Sequence, residues 1–321
     1  MKSSGIGGQA VIEGIMMKNK DRYAVAVRKP DQEIEVDIRE CSGVIKNPVL
    51  KKLPIVRGVL NFIESLVLGM KTLTFSAGFY EEEEEKTEKA EKAEGIVMGL
   101  TVAFSVVFAV AVFMILPYFI TELLRPYVVS AALMAIIEGC IRIAIFIGYI
   151  FLITLMEDIQ RVFMYHGAEH KCINCIESGL PLTVENVRIS SRQHKRCGTS
   201  FLLIVMIISV IFFIFIRTSN PVWRVLIRLL LVPVIAGVSY EFIRLAGNSD
   251  SKIVDILSKP GMLLQRLTTR EPDDSMIEVA IKAVEAVFDW KQYLADEGKL
   301  TAEEFAQLKA EEGFEFIEDE D

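Results

Sequence analysis

The sequence predicts a mainly α, polytopic membrane protein with four transmembrane helices, a small N-terminal β unit and a C-terminal helical appendage. Three observations carry that prediction. The chain has 321 residues, 52% of them hydrophobic, and a positive mean hydropathy, which is too apolar for a soluble domain. Residues 95–121 and 198–216 contain no charged side chain at all, and about 20 such residues cross a hydrocarbon core roughly 30 Å thick. Between the second and third apolar stretches lies a polar segment, 166–197, that holds all three histidines and three of the five cysteines.

Residues 1–53 read as the β unit. Gly5, Gly7 and Gly8 precede a short apolar run, Gln9 to Met17, consistent with one buried strand. Tyr23–Arg28 and Glu33–Ile38 alternate apolar and polar residues around Lys29-Pro30-Asp31-Gln32, which predicts a hairpin. Glu13 interrupts the apolar run, either as a solvent-facing strand residue or as a functional carboxylate. Pro54 then opens residues 54–80, where Ile55, Val59, Leu60, Ile63, Leu66, Val67 and Met70 recur at helical spacing opposite Arg57, Glu64 and Lys71. That pattern predicts an amphipathic helix lying in the membrane interface, with a re-entrant segment as the alternative. Residues 81–94 form a charged run that begins with Glu81 to Glu85 and predict an acidic, solvated linker.

The transmembrane domain covers residues 95–246, with spans at about 95–121, 131–156, 198–216 and 222–246 and a loop over 157–197. Charged residues inside or near the spans include Glu138 and Arg142 in the second, and Arg228, Glu241 and Arg244 in the fourth. An isolated charge in hydrocarbon costs at least ~2.5 kcal/mol, so each needs a partner. Glu138 can pair with Arg142 one helical turn away or with Arg228. Glu241 and Arg244 lie near the inner end of the fourth span, as bundle ion pairs or as a polar path to the His/Cys segment. Residues 247–321 predict a cytoplasmic helical tail, in which Ile277, Ile281, Val284, Val287 and Phe288 form one apolar stripe after Pro272-Asp273-Asp274-Ser275.

Lysine and arginine in short loops set the orientation of a bundle. The 157–196 connection carries Arg161, Lys171, Arg188, Arg192, Lys195 and Arg196, whereas the opposite side has only Arg125, Arg217 and Arg224. This predicts a multi-pass protein of the cell (cytoplasmic) membrane with both termini and the His/Cys segment in the cytoplasm. The N-terminus opens on polar residues and glycines without an apolar h-region, which predicts no cleavable signal peptide. In a reducing compartment, clustered cysteines point to metal ligands or redox thiols rather than disulfides. A net charge of −8 with acidic runs argues against nucleic acid as a partner. The expected partners are the lipid bilayer and an unknown substrate or protein, with a homo-oligomer left open.

The His/Cys segment is where chemistry is expected. His166 and His170 are four apart and share a helix face. His194 and Cys197 are three apart and form a second pair. Imidazole and thiolate are ligands that zinc prefers, so the two pairs offer a four-ligand set for Zn2+ or another divalent transition metal. Cys172 and Cys175 form a competing or supplementary C-x-x-C pair, and Glu177 and Glu185 are spare carboxylates nearby. His166-x-x-Glu169-His170 also matches the H-x-x-E-H arrangement of inverted zincins, in which both histidines bind zinc and the glutamate is the general base. A catalytic zinc keeps one position open, whereas a site that also took Cys172 and Cys175 would be closed and structural. Thr183 caps a short helix from Val184, which folds His194 back towards His170.

Several motifs together carry a family likeness. Gly7-Gly8-Gln9-Ala10-Val11-Ile12-Glu13-Gly14, His166-Gly167-Ala168-Glu169-His170-Lys171, Thr183-Val184-Glu185-Asn186, His194 to Ser200 and Thr268 to Asp274 resemble the YqhQ-like family. The likeness covers nearly the whole chain apart from the acidic linker and tail. It implies a bacterial membrane protein of unknown function, of a group described as predicted metal-dependent enzymes. In that family the positions of Cys172 and Cys175 are often filled by residues such as threonine. The resemblance therefore implies a site made of His166, His170, His194 and Cys197 with Glu169 beside them. Three functions follow as expectations: a membrane-embedded metal-dependent hydrolase, a non-catalytic metal-stapled scaffold or assembly factor, and a transporter or metal sensor. The H-x-x-E-H glutamate, which a structural site does not need, favours the first. Four spans without an evident repeat weigh against transport.

Overall fold

A computed structural model of the protein describes residues 3–41, 53–80, 88–216, 218, 220–247 and 251–318. Residues 81–87, which hold the Glu81–Glu85 run, lie outside that set. The chain is mostly helical, with an N-terminal antiparallel sheet, four helices long and apolar enough to cross a membrane, and C-terminal helices.

The sheet is a four-stranded meander: β1 Gly7–Val11, β2 Gly14–Asn19, β3 Arg22–Arg28 and β4 Ile34–Glu40. The apolar run expected to be one strand is two, because the chain reverses at Ile12-Glu13 and pairs Val11 with Gly14. Glu13 takes a φ of 48°, a left-handed conformation unusual for a residue with a side chain. Gly14 completes the turn where a Cβ would come within 2.3 Å of the Ala26 carbonyl oxygen. The expected hairpin over Tyr23–Ile38 is β3 and β4, joined at Lys29–Glu33.

Helix α1, Val56–Ala77, is among the four that are long and apolar enough to cross a membrane. Both of its ends nevertheless fasten to the end of the bundle that carries the sheet. At its start the Arg57 guanidinium grips both oxygens of Glu241 and Asn61 donates to the Tyr240 hydroxyl at 2.7 Å. At its finish, Thr72 Oγ1 accepts from Gln9 and Ser76 Oγ from the Ile12 amide, while Leu68, Phe75 and Phe79 pack under Val11, Met16 and Val25. Glu241 thus ties α1 to the fourth long helix rather than facing the histidines, and Arg244 lies 3.9 Å from the same carboxylate.

The bundle continues with α2 Glu88–Val110, a π-helical turn Ala111–Ile115, α3 Leu116–Glu122 and α4 Ala131–Ile153. Pro117 explains the π turn, since it has no N–H to give the Phe113 carbonyl. Arg142 of α4 takes that place, donating from Nε to Phe113 O at 2.9 Å. α5 Glu157–Glu177 and the short α6 Val184–Ile189 follow, with Thr183 Oγ1 accepting from Asn186 N as the N-cap. The apolar α7, Gly198–Ile214, has 17 residues, short of the roughly 20 of a full crossing, and packs against α4 and α8 Pro221–Gly247.

Glu138 and the arginines settle among themselves in this bundle. Glu138 Oε1 accepts from Arg142 at 2.7 Å and from Arg228 at 2.6 Å, and Oε2 accepts from Arg228 at 2.8 Å. Both pairings anticipated for Glu138 are therefore made at once, with all three side chains buried.

The C-terminal residues are more than an appendage. α9 Lys252–Thr268 lies on α7, and its Leu264 packs with Phe146, Ile150, Leu203 and Met206. α10 Asp274–Glu285 inserts Met276, Ile277, Ala280, Ala283 and Val284 between the sheet and α5 to build the largest core. α11 Trp290–Asp296 and α12 Ala302–Glu318 close the chain.

Removing Glu138 leaves two buried guanidiniums without a carboxylate, and breaking a buried ion pair costs about 3–5 kcal/mol. Glu138→Gln should lower the thermal unfolding midpoint in detergent far below that of the exposed-site control Glu35→Gln. Equal midpoints for the two variants would contradict this role.

Candidate metal centre

Helix α5 sorts its side chains by face. His166, Glu169, His170 and Ile173, three and four apart, look towards β1 and the start of α7. Cys172, Cys175 and Ile176 lie on the opposite side, inside the core built with α10. Two glycines let α5 come so close to its neighbours. A Cβ on Gly167 would fall 2.0 Å from the Arg270 carbonyl oxygen, and one on Gly8 would fall 3.2 Å from Glu169 Cγ. The segment after α9 therefore lies directly on α5, with the Arg270 amide donating to Phe163 O at 2.9 Å.

That contact orients the first histidine. His166 Nδ1 lies 2.8 Å from the Thr268 carbonyl oxygen, and His170 Nδ1 lies 2.7 Å from that of Arg192. A carbonyl only accepts, so each Nδ1 carries the proton and donates it, and each Nε2 is turned towards the centre. Metal-ligating histidines are held in this way, the outer nitrogen bonded to a backbone oxygen. Cys197, immediately before α7, brings its Sγ to 3.3 Å from His166 Nε2, and Thr199 Oγ1 lies 3.1 Å from the same sulfur. Burial alone would raise the Cys197 thiol, but His166 and His170 outweigh it and bring it well below the usual thiol range. Burial likewise pulls the His166 imidazolium down, and the Cys197 thiolate with Glu169 overrides it, holding His166 up to about 9. A helix N-terminus adds a further preference for the thiolate.

The ligand atoms of His166, His170 and Cys197 all lie within 4.8 Å of one another. A tetrahedral zinc with bonds of about 2.0–2.3 Å spaces its ligand atoms about 3.3–3.8 Å apart, so two imidazoles and a thiolate this close need draw in by no more than about 1–1.5 Å to hold one such ion. Glu169 stands beside the set without joining it. Its Oε2 is 4.0 Å from His166 Nε2, and its Oε1 accepts from the Gly8 amide at 3.1 Å. All four residues line a cavity of about 610 Å³ between β1, α5 and the start of α7, whose wall also includes Lys18 and Arg196.

The comparisons with known proteins bear on this arrangement. Residues 53–290 match a family model described as "Protein of unknown function (DUF1385)". The chain belongs to this family. It is also 39% identical over 287 residues to the "Uncharacterized protein YqhQ" of Bacillus subtilis (strain 168), covering 86% of this chain and 90% of that protein. No solved structure matches. The DUF1385 match takes in His166, Glu169, His170 and Cys197 but begins after the sheet that supplies Gly8.

The other residues singled out in the sequence take different places. His194 is the fourth residue of the expected ligand set, yet it stands apart, its ring 5.8 Å from that of His170 and its Nε2 3.5 Å from Glu177. Gln265 holds it there, accepting from His194 N at 2.8 Å and donating to His194 O at 2.7 Å. Cys172 and Cys175 are buried on the far face of α5, where burial pushes Cys172 well above the usual thiol range and Cys175 to about 11. They are packing residues, with Cys175 Sγ directed at the Pro181 carbonyl. Glu185 is exposed on α6. Glu13 clamps the sheet to α5 by gripping Arg161 and accepting from the Tyr165 hydroxyl at 3.3 Å. Sequence reasoning did not find Gly8, Gly167, Gln265 or the Thr268 and Arg192 carbonyls as parts of the site. Gly8, Gly167 and Thr268 fall within the shared motifs around Gly7–Gly14, His166–Lys171 and Thr268–Asp274, whereas Gln265 and Arg192 lie outside every motif and carried no signal.

Glu177 ties the N-terminus to this centre. It accepts from the Ser4 amide and hydroxyl, both at 2.8 Å, and pairs with Arg196. Burial pushes its carboxyl up, but His194, Arg196 and Ser4 outweigh that and hold it at about 2, below the ordinary 4.5. A depressed carboxylate stabilises the fold fully above about pH 4.5 and loses that contribution as pH falls towards 2. The segment around Ser4 should therefore resist protease at neutral pH and become cleavable in that acidic window, whereas Glu177→Gln should expose it already at neutral pH. Equal cleavage of both proteins at neutral pH would remove the tether from this account.

Proposed function

We propose that the protein is a metal-dependent hydrolase of the bacterial cytoplasmic membrane. His166, His170 and Cys197 hold one divalent transition ion, zinc by preference, and Glu169 is the general base. The observation that carries this reading is the three-ligand set with each His Nδ1 bonded to a carbonyl, facing a cavity in which Glu169 waits unligated. Three protein ligands with one position left over is the pattern of catalytic rather than structural zinc. When bound, such an ion acidifies water to near neutrality and polarises a carbonyl or phosphoryl oxygen.

The chain's own residues supply the rest. Glu169 takes the proton at Oε2, since Oε1 is occupied by the Gly8 N–H. The same bond stops the carboxylate from swinging away, so β1 positions the base. His194, held by Gln265 and facing Glu177, lies at the cavity wall as a relay for returning that proton to a leaving group. Lys18 and Lys20 give the cavity a positive side, suited to a substrate with an anionic group. The membrane orientation rests on the lysines and arginines of 157–196, which favour a cytoplasmic face for the site and both termini. Membership of a family with a Bacillus subtilis relative agrees with a bacterial membrane.

The test is Glu169→Gln, which preserves shape and removes the base. Metal content and folded stability should equal wild type, while cells carrying the variant should behave as the gene deletion, loss of a general base being worth about 10²–10⁴ in rate. A variant that replaces wild type fully in the cell would falsify catalysis and leave a metal-stapled scaffold in its place.

A further inference from the structure

The end of the bundle remote from the histidines holds a second polar cavity, of about 140 Å³, lined by Arg125, Arg224, Arg228, Glu122 and Glu138 among others. We infer that it is a binding site for a phosphate group, carried either by an anionic phospholipid or by a free ion. The argument begins with charge. Arg142, which shares Glu138 with Arg228, belongs to the same cluster. Among the described residues it thus has four guanidiniums, Arg125, Arg142, Arg224 and Arg228, and two carboxylates, Glu122 and Glu138, a surplus of two positive charges. A charge kept in the membrane region is costly unless it is paired.

The donors are also not all used. Arg228 is 4% exposed, and its Nε has no hydrogen-bond partner although it is buried. Phe213 faces the guanidiniums of both Arg142 and Arg228 at 4.9 and 4.8 Å, which helps hold the cations in place but accepts no hydrogen bond from them. At the mouth, Arg224 spends Nε and Nη2 on the Thr218 carbonyl and leaves Nη1 3.9 Å from Glu122. Guanidinium forks match the paired oxygens of phosphate better than any other cation does. The volume corresponds to four or five waters at about 30 Å³ each, room for a phosphate group and too little for a nucleotide. A wider cavity of about 460 Å³ shares Arg125, Arg224 and Ile216 and adds Ile214 and Ala132, an apolar flank against which lipid chains can lie. None of this depends on the metal centre.

The experiment uses the full-length protein in phosphatidylcholine nanodiscs. The unfolding midpoint is followed as phosphatidylglycerol is added to the disc, or as inorganic phosphate is added to the buffer. One of the two probes should raise the wild-type midpoint, and the Arg125→Gln, Arg224→Gln double variant should need about a hundredfold more of it, each of the two lost charge-assisted hydrogen bonds being worth about tenfold. A response to phosphatidylglycerol alone identifies a lipid headgroup, and a response to phosphate alone identifies a free anion. Native mass spectrometry of wild type provides a reading that no variant needs to survive, since a retained phosphatidylglycerol or phosphate should appear as a discrete adduct. No stabilisation and no adduct with either probe, or a double variant that responds at the wild-type concentration, would overturn the site.

Discussion

Two backbone carbonyls, those of Thr268 and Arg192, decide what the centre of this protein can do. By accepting from His166 Nδ1 and His170 Nδ1 they fix both tautomers and turn both Nε2 atoms inward towards Cys197. Everything needed to bring the two carbonyls there is long-range. Thr268 ends a helix that lies along α7, and the segment just after it, at Arg270, can approach α5 only because Gly167 leaves no Cβ in its path. Arg192 arrives through the short α6 turn capped by Thr183. The apolar stripe of α10 then buries itself between sheet and α5 and locks the strap in place. Sheet, α5, α9 and α10 are in this sense one structure organised around a polar triad.

The same dependence explains which parts were legible in the sequence. The spacing of His166, Glu169 and His170 states a shared helix face, because helical periodicity is a local property. Cys197 could be joined to them since it follows a short capped turn. His194 has the same claim on paper, three residues before Cys197, yet its backbone is gripped on both sides by Gln265, a residue 71 positions away, and its ring turns to Glu177. A C-x-x-C pair says nothing about which face of a helix it occupies in the tertiary structure, and Cys172 and Cys175 went to the core. Carbonyl partners have no sequence signature at all.

At the level of the fold, long uncharged stretches are read from composition, but their partners are not. The run Gln9–Met17 looks like one strand because a two-residue reversal at Ile12-Glu13 uses a residue with a side chain at positive φ instead of a glycine. The tail looked peripheral because the amphipathic stripe of α10 reveals that it must be buried and not against what. The intramembrane charges were the opposite case: an isolated charge in hydrocarbon is so unfavourable that partners could be expected, and Glu138 took both arginines. The bundle thus carries two polar clusters, one rich in soft ligands at the start of α7 and one of guanidiniums that reaches from the opposite end to Arg142 in the middle of α4.

The central claim is that two imidazoles and one thiolate converge on a single ion. Cobalt(II) substitution tests it most directly, because a thiolate ligand gives cobalt an intense near-ultraviolet charge-transfer band that imidazole alone does not. The protein should bind one cobalt per chain with that band, lose the band in Cys197→Ser, and keep it unchanged in Cys172→Ser and Cys175→Ser. Absence of the band in wild type, or its persistence in Cys197→Ser with loss in either of the other two variants, would contradict the account.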